Sequence, residues 1–465
     1  MKNSFDIALV GNNIATLVAA NELSKKNVDF CILHTSDFWG GHFSCIKKFD
    51  SDFDLGMTLL EFTDFNDSEN PSIKTFNKNI KGDIGRFSSF LKNYIESIVS
   101  LSTIDTPKVM YKDLIVNDFL ISNNIQGIKR LNFFNKMIKD LSNETSKELH
   151  PSFKNTSDVF LKQNFNKVSL SNHGNSFHKE IIEKYINKVI NKDSSSIISR
   201  FHRQLWLPLY YPESLKALQE NIDVFSIKPT LFHYPTKGRV GNITKILKDN
   251  IPEQYPFFKN VEKKYTIIFE NDIHQISYGR EKISAKEVFW SDNLESIQSN
   301  MSAEYNYDKA SIILFFAIIP KNNIKLDFSV LNIINDDNFI YRITNQTKCS
   351  RSNEEFHNVV CEANYDYFKK LNPNSSDEDI SSIFIKQIKS MGFVESNAEL
   401  VDVSLMILKN TYMIPSVENY SNYLKHKNFI HEAYPSIYFS GQSNDLFSNS
   451  LNDQVLQGLN FASKF

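Results

Sequence analysis

Residues 5–10 (FDIALV) form a short apolar run that ends on Gly11, and the next two dozen residues leave few folds open. Residues 14–26 (IATLVAANELSKK) carry Ala and Leu at helical spacing, and residues 28–33 (VDFCIL) are a second apolar run. A short unbroken apolar run stopped by glycine suits a strand buried on both faces, as in a parallel sheet. Strand, tight turn, helix and strand within about 30 residues make one βαβ unit. The chain is therefore expected to open as a Rossmann-like unit of an α/β fold.

The remainder changes character twice. Residues 76–200 are expected to be mostly helical, with amphipathic helices over 85–100 and 178–191 set between Asn-, Ser- and Thr-rich stretches. From 222 to 345 the pattern turns to short β-rich runs: TIIF, ISAKEVFW, SIILFFAII and FIYRIT. Residues 377–391 predict a helix opening on Asp377. Residues 437–440 (IYFS) predict a last strand running into Gly441, and a final helix is expected from Asn452 to the end. No internal repeat or long low-complexity linker interrupts the chain.

Composition narrows the class. Of 465 residues 41% are hydrophobic, enough for a large core in several interwoven subdomains. The formal net charge of −2 gives no basic footprint for nucleic acid. Lysines scattered through polar stretches read as a solvated surface. Cys31, Cys45, Cys349 and Cys361 lack CxxC spacing and read as ordinary thiols of a reducing compartment. The opening MKNSFDIALVG lacks the pattern of a secretory leader, and the longest apolar run, Ile312 to Pro320, is too short to span a bilayer. A cytoplasmic protein with no membrane span is expected. His173 and His178 lack metal-ligand spacing, so they are expected to be solvated, and no metal site is predicted.

The turn after the first strand carries the first candidate site. In a dinucleotide fingerprint one glycine makes the turn, a second lets backbone approach the diphosphate, and a third lets helix and strand pack closely. The helix N-terminus then offers free N–H groups and its dipole to the phosphates. Here Gly11 keeps the first place, Asn13 takes the second and Thr16 the third. Asn tolerates left-handed backbone, while its side chain points toward the phosphate position. A purely structural βαβ unit is the other reading. The acidic residue expected to hold the ribose is His34 in this chain, which offers at most one acceptor nitrogen. A surface histidine is the alternative there. Trp39-Gly40-Gly41-His42-Phe43 and Asp54-Leu55-Gly56-Met57 come next as tight turns.

Taken together, these residues resemble the superfamily of flavin-dependent amine oxidases, protoporphyrinogen oxidases and UDP-galactopyranose mutases. The likeness runs in order through IALVGNNIATLVAANEL, the Gly40-Gly41 pair and Asp54-Leu55-Gly56. It continues through Tyr234-Pro235-Thr236-Lys237-Gly238, Ser440-Gly441-Gln442 and Ser450-Leu451-Asn452-Asp453-Gln454-Val455, with Gly458-Leu459 beyond. The chain departs from the family pattern at Asn13, His34, Arg239 and Gln442. The resemblance implies a Rossmann-like FAD-binding domain of the GR2 type, an interleaved mixed-sheet substrate domain and a helical insertion. Residues 1–75 and 431–465 would form the two ends of the FAD domain, 76–200 the insertion, and 201–430 the substrate domain, with FAD-domain segments over 222–300. It implies FAD held by Gly11, Asn13, Ile14, Ala15, His34, Gly40, Gly41, Gly441, Gln442, Asp453, Gln454 and Val455, with the last helix pointing its N-terminus at the flavin.

The chemistry implied is that of the flavin, with the protein supplying orientation and electrostatics. The substrate would be a small polar molecule, a nucleotide sugar among the candidates, and the reaction either a redox step or an isomerisation. Arg203, in the aromatic-rich stretch Phe201 to Pro212, could bind a carboxylate or phosphate. Arg342 and Tyr412 are the other candidates for the catalytic site, and core packing is the competing reading for all three. A homodimer is left open. The same fold occurs in Rab GDP-dissociation inhibitors, which keep a GG turn and use no flavin. A flavin-free member that binds a lipid or a protein is therefore the second reading.

Overall fold

The structure is a computed structural model that describes residues 3–63, 87–120, 125–143, 163–210, 212–222, 230–298, 305–446 and 450–465. Residues 85 and 86 of the first expected amphipathic helix, and Tyr211, lie outside these. In chain order the strands are β1 (Ser4–Val10), β2 (Phe30–His34), β3 (Cys45–Lys48), β4 (Ser51–Asp54), β5 (Leu60–Thr63), β6 (Leu101–Thr103), β7 (Lys108–Tyr111), β8 (Leu114–Asn117), β9 (Thr230–Pro235) and β10 (Phe257–Lys259). They continue with β11 (Thr266–Glu270), β12 (Ile273–Tyr278), β13 (Glu281–Trp290), β14 (Lys309–Pro320), β15 (Val330–Ile333), β16 (Ile340–Asn345), β17 (Phe356–Asn364), β18 (Asp402–Met413) and β19 (Ile437–Phe439). The first helix is α1 (Ile14–Lys25).

The opening run is apolar because β1 lies inside a sheet. It runs parallel between β2 and β13, and Ile7 to Val10 are fully buried. The sheet has the order β10-β2-β1-β13-β12-β11, and β19 joins β13 in parallel past the end of β12. The second strand starts at Phe30 rather than Val28, since α1 must first be left through Asn27, whose φ is +55°.

α1 is covered by the terminal helix Leu451–Ala462. Gly458 permits this, because a Cβ there would lie 2.6 Å from the Ala15 carbonyl oxygen. Ala15, Val18, Val455 and Leu459 fill the contact. The two ends of the chain thus build one layer. The terminal helix starts with a reciprocal capping box between Ser450 and Asp453, which satisfies two N–H groups at once.

A second sheet has the order β18-β14-β17-β16-β15-β7-β8, antiparallel except at β15–β7. The apolar run Ile312 to Pro320 is its long strand β14. Alternate residues take opposite faces: Ile313, Phe315, Ala317 and Ile319 join Phe384 and Ile388, while Leu314, Phe316 and Ile318 join Phe53. Residues 76–200, expected to be mostly helical, also supply β6, β7 and β8. The helix expected over 85–100 spans Ser89–Glu96, the one over 377–391 spans Ile380–Ser390, and residues 178–191 fold as a π turn followed by Lys184–Ile190.

Two histidine expectations are overturned. His173 and His178 are buried, not solvated. Ser169 Oγ lies between them, 3.1 Å from His173 Nδ1 and 2.9 Å from His178 Nδ1. The Tyr210 amide donates to His173 Nε2 at 2.9 Å, and Glu183 sits 3.0 Å from His178 Nε2. Burial drives the His173 pKa down to about 3, so its ring is neutral and available as an acceptor. Lys188 also departs from the solvated pattern: it is buried and donates to the carbonyls of Ile333 and Asn335. Among the described residues no helix is long and apolar enough to cross a membrane, and no group of His, Cys, Asp and Glu could hold a metal ion.

Candidate functional site

The fingerprint turn lies where β1, β13, α1 and the terminal helix meet. Gly11 has φ +118°, and a Cβ there would lie 2.1 Å from Ser291 Oγ and 2.8 Å from the Asp292 amide nitrogen. Only glycine meets both demands. Asn13 is not left-handed: its φ of −87° and ψ of 177° are extended, and it serves as N-cap of α1. Its Oδ1 accepts the Thr16 N–H at 3.1 Å, and its Nδ2 donates to the Ser291 carbonyl at 3.1 Å. That same Nδ2 lies 2.8 Å from where a Gly441 Cβ would stand.

The terminal helix contributes the next contact. Gln454 Oε1 accepts the Ile14 N–H at 3.1 Å, across 440 residues of sequence. Replacing Asn13 with Ala is expected to lower stability by about 1 kcal/mol through loss of the cap, measured by urea unfolding. Gly40 and Gly41 are both left-handed, and the Gly40 N–H donates to the Asn12 carbonyl at 2.7 Å. Gly441, also left-handed, donates its N–H to Gln457 Oε1 at 2.5 Å. Gln442 lies in the following turn beside Tyr423 and Leu446. Asp453 is engaged in the capping box, and Val455 packs in the core.

His34 ends β2 with its ring among aromatic groups. The Trp39 ring is 4.9 Å away and the Phe257 ring is 6.4 Å away, edge-on. Nδ1 is 3.0 Å from the Ser36 carbonyl, so that nitrogen carries the proton. Burial holds the His34 pKa below its ordinary value.

Asp54, of the Asp54-Leu55-Gly56 turn, works structurally. Its buried carboxylate accepts the Val240 and Gly241 amides at 3.1 and 2.9 Å, together with the Tyr234 hydroxyl. Burial raises its pKa against those bonds. Gln346 then clamps the turn to the second sheet through the Asp54 amide and the carbonyls of Asp54 and Gly56.

Opposite this turn, register builds a row across five strands. Asn332, Arg342, Glu362, Leu314 and Met406 stand side by side on β15, β16, β17, β14 and β18. Arg342 and Glu362 form a bidentate pair, Nε to Oε2 at 2.5 Å and Nη2 to Oε1 at 3.0 Å. Their side chains are only 14% and 8% exposed. Met57 donates its amide to Glu362 Oε2 at 3.3 Å, and Gly56 leaves room for that carboxylate, since a Cβ would lie 2.7 Å from Oε1. Burial opposes the charged guanidinium, but Glu362 more than restores it, so the Arg342 pKa is raised.

Tyrosines surround the pair. The Tyr185 hydroxyl donates to Asn332 Oδ1 at 3.3 Å, the Tyr412 hydroxyl donates to the Gln204 carbonyl at 3.0 Å, and Arg342 lies 5.3 Å from the Tyr341 ring centre. Burial pushes the Tyr185 and Tyr412 pKa values up, with Arg342 acting against it, so both stay protonated. Arg342 and Tyr412 are therefore brought into one electrostatic neighbourhood. Arg203, 40% exposed, pairs with a carboxylate of the chain itself: its Nη2 sits 2.8 Å from both oxygens of Glu61. Glu362 was missed by motif reasoning, although a lone carboxylate inside the apolar run VVCEA is a readable sign. Asn332 and Tyr185 carried no such sign.

No protein-family model matches the sequence, and no curated protein does. Solved structures do match across the chain. A reduced UDP-galactopyranose mutase superposes with a TM-score of 0.72 at 14% identity, covering 99% of this chain and 93% of the mutase. Cyclohexylamine oxidase from Brevibacterium oxydans gives a TM-score of 0.62 at 10% identity, with 99% and 98% covered. The fold is that of the amine oxidase-type flavoproteins. A fatty acid isomerase from P. acnes that produces CLA shares this flavoprotein fold, at a TM-score of 0.56 and 11% identity over 99% of this chain and 98% of that one.

Whether the residues of this flavoprotein fold suit FAD turns on the mouth. A diphosphate there needs unoccupied N–H groups at the start of α1. The Ile14 and Thr16 N–H groups already have acceptors, supplied by Gln454 and Asn13. The Asn13 amide stands between α1, Ser291 and Gly441. A ribose needs a carboxylate partner, and His34 is instead enclosed by aromatic rings. As arranged, the Asn13 and Gln454 side chains would have to move to admit the diphosphate, and His34 offers the ribose no carboxylate.

Proposed function

We propose that this chain is a flavin-independent protein of the flavoprotein fold that binds a small, uncharged, hydroxyl-bearing molecule on the Arg342–Glu362 row. One observation carries the reading: Gln454 and Asn13 cap the first helix from within the protein at Ile14 and Thr16, two of the N–H groups a dinucleotide would use. The ligand class follows from charge. Arg342 is neutralised by Glu362, so an anion would have to displace a buried carboxylate, whereas a hydroxyl can use a donor and an acceptor together. The Tyr412 phenol adds a further polar group beside them, and Met406 and Leu408 an apolar flank.

Two titrations test the reading. Purified protein is expected to be colourless, and added FAD is expected to keep its full fluorescence. Thermal shifts with uncharged monosaccharides should then find a stabilising ligand for the wild type that fails to stabilise Arg342→Met/Glu362→Leu. Flavin that copurifies, or saturable quenching of FAD, would overturn the flavin-independent reading. It would support instead a FAD-dependent oxidoreductase or isomerase acting on a small polar substrate such as a nucleotide sugar, which the shared fold favours.

A further inference from the structure

A second concavity lies in the helical region, apart from the mouth and the central row. The helix Phe165–Phe177 breaks at Gly174, whose φ is +77° and whose absent Cβ would lie 2.9 Å from Asp140 Cβ. The close approach at this break sets Asn175 and Ser176 against the helix Phe134–Asn143, and the π turn His178–Glu183 comes directly after. Between these and the β7–β8 turn is a cavity of about 320 Å³, lined by Tyr111, Lys112, Lys136, Ser176, Lys179 and Glu180 among others.

Its charges are unbalanced. Glu180 is occupied by the Tyr111 hydroxyl at 3.0 Å and by Lys184 at 3.2 Å. Lys136 and Lys179 have no carboxylate partner among the described residues, and Lys112 shares Glu180 while lying 5.3 Å from the Tyr111 ring centre. Three ammonium groups around one concavity, against the single lining carboxylate of Glu180, focus a positive field on a chain whose net charge is −2.

Ser176 belongs to the wall of the same cavity. Ser176 is 4% exposed and its Oγ is itself buried, with no hydrogen-bond partner among the described residues, while its backbone N–H donates to Asp140 Oδ2 at 2.8 Å. A buried hydroxyl left unsatisfied costs free energy unless something bonds it.

We infer that this cavity binds a small, free phosphate-bearing molecule, held by Lys112, Lys136 and Lys179. Lysines bind phosphate as point charges, and the volume stands at the small end of ligand pockets, roughly 300–1,000 Å³. The inference is independent of the flavin question, because none of these residues lies at the α1 mouth.

Isothermal titration with inorganic pyrophosphate tests it, on wild type, Lys136→Ala/Lys179→Ala and Ser176→Ala. One saturable site is expected, weakened by added salt, weakened at least about tenfold in the lysine variant and little changed in Ser176→Ala, whose hydroxyl is buried. The lysines are exposed, so the variant should keep the wild-type circular dichroism and melting temperature. Absence of saturable binding to the wild type, or equal binding by the lysine variant, would overturn the site. Co-sedimentation with phosphatidylglycerol vesicles that depends on these lysines, without pyrophosphate binding, would also overturn it in favour of a lipid headgroup.

Discussion

Arg342→Met alone is expected to lower the unfolding free energy by about 3–5 kcal/mol, and Glu362→Leu alone by a similar amount. Each single change leaves its partner's charge buried with nothing to compensate it, since the two side chains are only 14% and 8% exposed. Removing both should cost far less, about 1–2 kcal/mol, mainly because the Met57 amide loses Glu362 as acceptor. Urea unfolding of the four proteins closes the cycle, and the coupling between the two sites should amount to several kcal/mol. Single variants that each cost under about 1 kcal/mol and simply add would mean that water screens the pair. The row would then not be the dry, preorganised surface that the proposed ligand site requires.

Such a pair shows what a sequence states and where it stops. Arg342 was a candidate because Tyr341-Arg342 was expected at the end of a strand of the central sheet, and it lies instead in the middle of β16. Glu362 was within reach as a lone carboxylate in an apolar run, but their pairing is a matter of register between β16 and β17, which no local pattern states. The βαβ start was legible for a related reason: β1, α1 and β2 are contiguous, and their burial follows from their own apolar periodicity. Gln454 stands at the other extreme. Its bond to Ile14 joins the two ends of the chain, and nothing near either residue announces it.

The histidines failed differently. His173 and His178 sit among Asn and Ser, a composition that suggests solvent, yet Ser169, Glu183 and the Tyr210 amide satisfy them inside the core. Buried polar residues are placed by partners, and composition does not count partners. Arg203 has a partner that composition does not announce, Glu61, 142 residues away.

Gly11→Val is the second change with a large expected effect, and it separates two uses of the same turn. At φ +118° a side chain strains the backbone, and the added Cβ would lie 2.8 Å from the Asp292 amide nitrogen and 2.9 Å from the Ser291 carbonyl carbon, neither of which can swing away. Backbone strain of about 1–3 kcal/mol and overpacking of about 1–3 kcal/mol together predict a loss of about 2–6 kcal/mol, a large part of a typical 5–15 kcal/mol stability. Gly11→Ala should bear most of that loss, because the conflict is at Cβ and not farther out. Asn13→Gly, by contrast, should cost only a few tenths of a kcal/mol, since glycine is a tolerable N-cap. The expected order is therefore steep at position 11 and shallow at position 13, with no dependence on added FAD. A mouth built for a diphosphate would behave otherwise: Asn13→Gly would remove an obstruction and gain a flavin-dependent rise in melting temperature. Denaturation of the three variants with and without FAD distinguishes the two, and a FAD-dependent gain in Asn13→Gly would show that only the Asn13 side chain holds the cofactor out.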